Sequence, residues 1–197
     1  MQELLDAQRQ MQLEADEVVR VLDLNALLRE IGRPTRVGSS AMGLMVRRDI
    51  DITVACDCLD NNALAAFAGI AARLMQITDY VVAVRFRNDT GNWNIEPEKY
   101  PDGLYLWLSV RMTDGTDWTL DIWLVDMPEK QPDLNHLKTL LPRLSDTDRA
   151  VILQIKQVLA ERDKTLLKIP SALVYEAVMD HGVRTFQEFE KWYSDNH

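Results

Sequence analysis

Residues 49–54 read Asp-Ile-Asp-Ile-Thr-Val, and that strict alternation leaves the segment few ways to fold. Strand side chains alternate with a period of two, so Ile50, Ile52 and Val54 share one face while Asp49 and Asp51 share the other. The apolar face can anchor the strand in a core. The opposite face then carries two carboxylates side by side, which repel each other unless a cation sits between them. A hard divalent ion with oxygen ligands is the simplest partner, and magnesium held jointly by carboxylates and substrate phosphates is the common case. The pair therefore points to phosphoryl-group chemistry.

The rest of the chain supplies elements around that strand. Residues 2–21 form a polar helix candidate. Leu24, Leu27, Leu28 and Ile31 recur at helical spacing over 23–32, with Gly32 placed as a stop. Pro34 keeps the chain extended into a short strand at 35–37, Gly38-Ser39-Ser40 makes a turn, and 39–46 starts a short helix. Residues 64–77 are rich in Ala and Leu and read as a buried helix, which Asp60, Asn61 or Asn62 can cap. Strands follow at 80–87, 104–113 and 117–125, the last two joined by Asp114-Gly115, a strong hairpin signal. The loop from 88 to 102 is long for a compact domain, and such loops are often functional. Its Trp93 is either a packing residue or a stacking surface for a base or acceptor. Beyond Pro128 the pattern turns helical, over 134–144, 146–166, 171–180 and 185–194, with Ser145 and Ser171 as N-caps and Gly182 as a stop. The expected class is α+β: an N-terminal unit over residues 1–128, then an all-α C-terminal region over 129–197.

Charge limits the partners. The net charge of −9 argues against a general polynucleotide binder, which carries a basic footprint. It leaves room for a nucleotide, because a metal bridges acidic groups to phosphate. No apolar run approaches the roughly 20 residues of a membrane span, and the polar, acidic segment 1–20 does not read as a secretion signal. A cytoplasmic location is the default expectation. Cys56 and Cys58 are too few for a structural zinc site and too close for an easy disulfide, so both read as reduced.

A third acid appears in Trp118-Thr119-Leu120-Asp121-Ile122-Trp123. An acid between apolar neighbours on a central strand is costly unless paired or metal-bound. If this strand lies beside 49–55, three carboxylates converge on one face. The set Val37-Gly38-Ser39, nine intervening residues, Asp49-Ile50-Asp51-Ile52 and a later strand acid resembles the nucleotidyltransferase superfamily related to DNA polymerase beta. The resemblance covers about the first 128 residues in element order. It implies a small mixed β-sheet core with flanking helices, and a reaction that moves a nucleoside monophosphate from a nucleoside triphosphate to an acceptor hydroxyl. It implies that Asp49 and Asp51 hold two magnesium ions, with Asp121 completing the acceptor-side metal or taking the hydroxyl proton. Gly38, Ser39 and Ser40 would approach the phosphates. Arg47 and Arg48 are either phosphate counter-charges or solvated residues of an edge turn.

The remaining candidates are weaker. His136, His181 and His197 show no metal-ligand spacing and read as surface or capping residues, and the methionines read as core filler. Tyr175 and Trp192 sit at helical spacing and read as core, with a cleft wall as the alternative. Small drug-modifying enzymes of the superfamily have comparable size, so the resemblance favours a small acceptor such as an antibiotic and makes a polynucleotide acceptor the less expected one. The competing reading is a non-catalytic or toxin–antitoxin-type member that binds or acts on a protein or RNA. Mutually repelling acids have no reason to persist in a purely structural site.

Overall fold

In the computed structural model, which describes residues 2–162 and 169–197, the chain builds a five-stranded mixed sheet with helices on both sides. The elements are α1 (Gln2–Val21), α2 (Leu24–Arg29), β1 (Arg33–Val37), α3 (Gly38–Met42), β2 (Asp49–Ala55), α4 (Asn61–Met75) and β3 (Val81–Asp89). Then come β4 (Gly103–Arg111), β5 (Asp117–Val125), α5 (Pro132–Thr139), α6 (Asp146–Arg162), α7 (Ser171–Met179) and α8 (Phe186–Asn196). The sheet order is β1-β2-β5-β4-β3, with β2 and β5 parallel and every other pair antiparallel. This is the mixed sheet with flanking helices expected from the sequence.

Alternation decides what each face does. Ile50, Ile52 and Val54 on β2 join Leu120, Ile122 and Leu124 on β5 and Leu104, Leu106 and Leu108 on β4 in one buried layer. Val18 of the first helix, Leu22 just after it, Leu28 of the second helix and Phe67 and Leu74 of α4 complete that core. At about 25 cal/mol per Å² of apolar surface this burial is the main force holding the sheet in register. A slip of one residue would turn every acid into the core and every leucine out. The opposite face carries Asp49, Asp51 and Asp121.

A second buried cluster joins the C-terminal helices to the segment after β1. Met42 and Leu44 pack with Leu140, Ile152, Ile155, Val174, Tyr175 and Phe189. The helices after residue 128 therefore lean on the turn that leads into β2, and this brings them over the acidic face.

Local signals account for most boundaries. The Asp60 carboxylate accepts from the Ala63 N–H at 2.8 Å and caps α4. The Ser145 hydroxyl accepts from the Asp148 N–H at 3.2 Å at the start of α6. The hairpin at 114–115 is a three-residue loop with Gly115 at φ 87°, the left-handed position such loops require. Pro34 fits inside β1 because that strand is at an edge of the sheet.

Some expectations need correction. The second helix stops at Arg29, short of Gly32, and Gly32 serves a different purpose: a Cβ there would stand 2.4 Å from the Ala55 carbonyl oxygen. Pro142 breaks the helix expected at 134–144 into α5 and a single 3-10 turn, Leu141–Arg143. Ser171 begins its helix but makes no side-chain cap, and residues 163–166 of the helix expected at 146–166 lie outside the described residues. Trp93 is not a packing residue, being 71% exposed beside Ile95 at 90%. Among the described residues no helix is long and apolar enough to cross a membrane.

Candidate active site

Register brings the three acids together. Asp51 and Asp121 are direct partners across the parallel β2–β5 ladder, and Asp49 lies two residues back on the same face. One carboxylate oxygen from each of the three lies within 4.8 Å of the others. The Thr119 hydroxyl donates to Asp49 Oδ1 at 2.5 Å, and the Tyr105 hydroxyl donates to Asp121 Oδ1. Each of these acids thus has one oxygen turned toward a neighbour on the sheet.

Electrostatics give this arrangement its character. Burial, and after it the charges of Asp49 and Asp121, push the Asp51 carboxyl well above the usual carboxylate range. Burial and the two neighbouring charges therefore disfavour the ionised form of Asp51. Burial and the bond to Asp121 push the Tyr105 phenol up as well, so it remains a donor.

The turn before β2 fits closely around Asp51. Gly38 has φ +62°, and a Cβ there would stand 2.2 Å from Asp51 Oδ2. The space a side chain would fill is the space the carboxylate uses. Ser39 follows it and lines the same cleft.

The acids line a cleft of about 740 Å³ between the sheet and the C-terminal helices. That size lies within the range of small-molecule sites. Gly38, Ser39, Arg47, Asp49, Asp51 and Asp121 all line it. Ser40 and Arg48 do not. The Ser40 hydroxyl is buried and donates to the Val37 carbonyl at 3.1 Å, while Arg48 pairs with Glu14 at 3.2 Å.

The opposite wall holds a residue that the sequence reading passed over. Lys156 on α6 is 7% exposed, and its Nζ donates to the Leu44 carbonyl at 2.7 Å and to the Tyr175 hydroxyl at 3.3 Å. Burial lowers its pKa to about 8, against the raising influence of Asp51. A signal was present: Lys156 follows Ile152 by four and Leu153 by three, which places it on the apolar stripe of α6. Tyr175 is buried in the second core cluster and also lines the cleft, so both readings of it hold. Trp192 does not line it. His136 is a cleft residue rather than a capping one, with its ring edge-on to Tyr175 at 6.3 Å.

Lys156 makes stability depend on pH with a definite sign. An unfolded lysine keeps its proton to about 10.5, whereas the folded one releases it at about 8. Between those values the unfolded chain binds more protons, so stability rises with pH. The gain is at most about 3 kcal/mol. Urea unfolding with chelator at several pH values across that window should show the rise in the wild type and its absence in Lys156→Met. Parallel curves for the two proteins would refute it.

No protein-family profile and no curated protein sequence matches the chain. Solved structures do. A mutant of the Cid1 poly(U) polymerase bound to MgATP is similar at a TM-score of 0.55 and 15% identity, covering 92% of this chain and 56% of that one. CdnC of E. coli MS115-1 with ATP is similar at a TM-score of 0.53 and 16% identity, covering 93% of this chain and 65% of that one. The chain spans less than two thirds of the length of either. At such identity these likenesses show a fold shared with the two structures and nothing more.

Proposed function

We propose that this chain, folded as a nucleotidyltransferase, moves a nucleoside monophosphate from a nucleoside triphosphate to an acceptor hydroxyl with a divalent metal. The observation that carries the reading is the convergence of Asp49, Asp51 and Asp121 within 4.8 Å at a cleft that also holds a buried lysine. The residues fit a hard cation: three oxygen donors meet on one face, and Asp51 is forced toward its protonated form when no cation neutralises the group. Two magnesium ions held by the three carboxylates, when bound, supply charge stabilisation to the phosphates and to the attacking oxygen.

The protein's own groups divide the remaining work. Lys156 lines the cleft with its Nζ held by the Leu44 carbonyl, and an anionic triphosphate there would favour the charged form that burial disfavours. Arg47 and Ser39 line the same cleft as the triad and would contact phosphate oxygens there. Gly38 keeps clear the volume in which Asp51 sits. Asp121, oriented by the Tyr105 hydroxyl, receives the acceptor hydroxyl proton. The hydroxyl oxygen bonds to the α-phosphorus as the α–β bridging bond breaks, and pyrophosphate leaves.

The small-molecule acceptor expected from the sequence gains no support from the structural likenesses, one of which is to a poly(U) polymerase. The test is incubation with magnesium and α-labelled triphosphates, read both as a thermal shift and as label moved to acceptor. A rise in melting temperature that needs both metal and nucleotide is expected. No shift with any triphosphate, and no label transferred to nucleic acid, protein or small-molecule acceptors, would leave a non-catalytic role for the fold.

A further inference from the structure

The ladder that pairs Asp51 with Asp121 does not end there. Trp107 on β4 is the direct partner of Asp121, and Arg85 on β3 is the direct partner of Trp107. Asp51, Asp121, Trp107 and Arg85 therefore form one straight row across four strands, all on the same face. Beside it runs a second row, Trp123, Tyr105 and Arg87. The Arg85 guanidinium lies 4.6 Å from the Trp107 ring centre, and that of Arg87 lies 4.7 Å from Tyr105 and 5.4 Å from Trp123. The Tyr105 and Trp123 rings are 4.7 Å apart.

Trp107, Tyr105 and Trp123 are only partly covered, and both arginines are exposed. None of these five residues lines the cleft that holds Lys156. The triad thus stands between two surfaces, the cleft on one side and an exposed aromatic and guanidinium face on the other.

We propose that this face is the acceptor platform, and that it takes the 3′ end of a single-stranded nucleic acid, two or three nucleotides long, by stacking. The inference rests on the transfer reading above for what happens at the end of the row. Rings and guanidinium planes stack bases of any sequence, and open sheet faces bearing such rings hold two or three bases. At about 4.8 Å between strands, the row from Asp121 to Arg85 spans about 10 Å. The Tyr105 hydroxyl ties the platform to the acid that would take the 3′-hydroxyl proton.

Charge agrees with a short site and not with a long track. Arg87 is paired with Asp89 at 2.7 Å, so the face carries little net positive charge. An acidic chain of net charge −9 can still hold a nucleic-acid end if the rings supply the attraction. A polypeptide added as a strand would pair with β3, the edge strand beside β4, and would not be drawn over the rings of the interior strands β4 and β5.

The test uses the full chain with magnesium and fluorescent single-stranded 12-mers, ribose and deoxyribose in parallel, read by anisotropy. Binding should weaken at least tenfold in Trp107→Leu and clearly in Arg85→Glu, an exposed site that does not threaten folding. The salt dependence should be shallow, with a log–log slope of about −1. The two sugars show whether the face reads the 2′-hydroxyl. Absence of binding at concentrations on the order of 100 µM, or equal binding by wild type and both variants, overturns the platform. So does label that enters a polypeptide and never an oligonucleotide. The magnesium–triphosphate thermal shift is the independent readout: both variants should retain it. A wild type that binds the 12-mers through this row yet gives no such shift overturns the transfer reading and leaves the platform standing.

Discussion

The double variant Asp49→Asn, Asp51→Asn should transfer nucleotide at least about a thousandfold more slowly than the wild type while melting at a higher temperature in chelator. The first effect follows from losing the charged ligands that neutralise developing phosphate charge, several kcal/mol of stabilisation at about 1.4 kcal/mol per tenfold in rate. The second follows from the same charges. Carboxylate oxygens within 4.8 Å of one another repel wherever both groups are ionised, and protonating Asp51 to relieve that repulsion has its own cost at neutral pH. Asp51 also bears the cost of its burial. Asn at 49 still accepts the Thr119 hydroxyl bond, so the ladder around the site keeps its local contact. The checks are label transfer, melting in chelator and the magnesium-dependent shift. Transfer at the wild-type rate would refute the metal assignment, and a lower melting temperature would show that the acids serve the fold.

Gly38→Ala should be the most damaging single change outside the triad. The residue sits at φ +62°, where a side chain costs roughly 1–2 kcal/mol. Its Cβ would also stand 2.2 Å from Asp51 Oδ2 and 2.9 Å from Cγ, so the carboxylate must leave its place beside Asp121. Misplacing a reacting group by an ångström costs about a hundredfold in rate. The expected outcome is a loss of about 1–3 kcal/mol in unfolding free energy with a drop of about a hundredfold or more in kcat/KM. Gly115→Ala provides the control, since it has φ +87° in the hairpin turn and open space around the new atom. It should lose stability by about 1 kcal/mol and leave transfer untouched. If the two variants transfer equally well, close contact with Asp51 is not what Gly38 is for.

These two predictions differ in how far they were visible beforehand. The alternation at 49–54 already implies a strand with both acids on one face, and the Gly-Ser pair already marks a tight turn before it. Nothing in the sequence says that the glycine faces Asp51 rather than solvent. The same holds along the chain. The Asp114-Gly115 hairpin and the Asp60 cap are local hydrogen-bonding patterns, and both appear where the residues place them. Ser40 and Arg48 looked equivalent to Ser39 and Arg47, yet one turns inward to Val37 and the other reaches back to Glu14. The sequence left Trp93 open between packing and exposure and placed His136 no closer than the surface, because exposure depends on what packs alongside.

What the sequence determined by itself is therefore what a few neighbouring residues can settle: strand or helix, which side chains share a face, where a turn or cap falls. Tertiary structure alone decided that β2 and β5 lie in parallel with Asp51 opposite Asp121, that α6 brings Lys156 across the cleft, and that Trp107 and Arg85 continue the row of acids. The reason is physical. Periodicity acts over a few residues through backbone geometry, whereas pairing between segments 70 positions apart is chosen by burying the largest apolar layer of the whole chain.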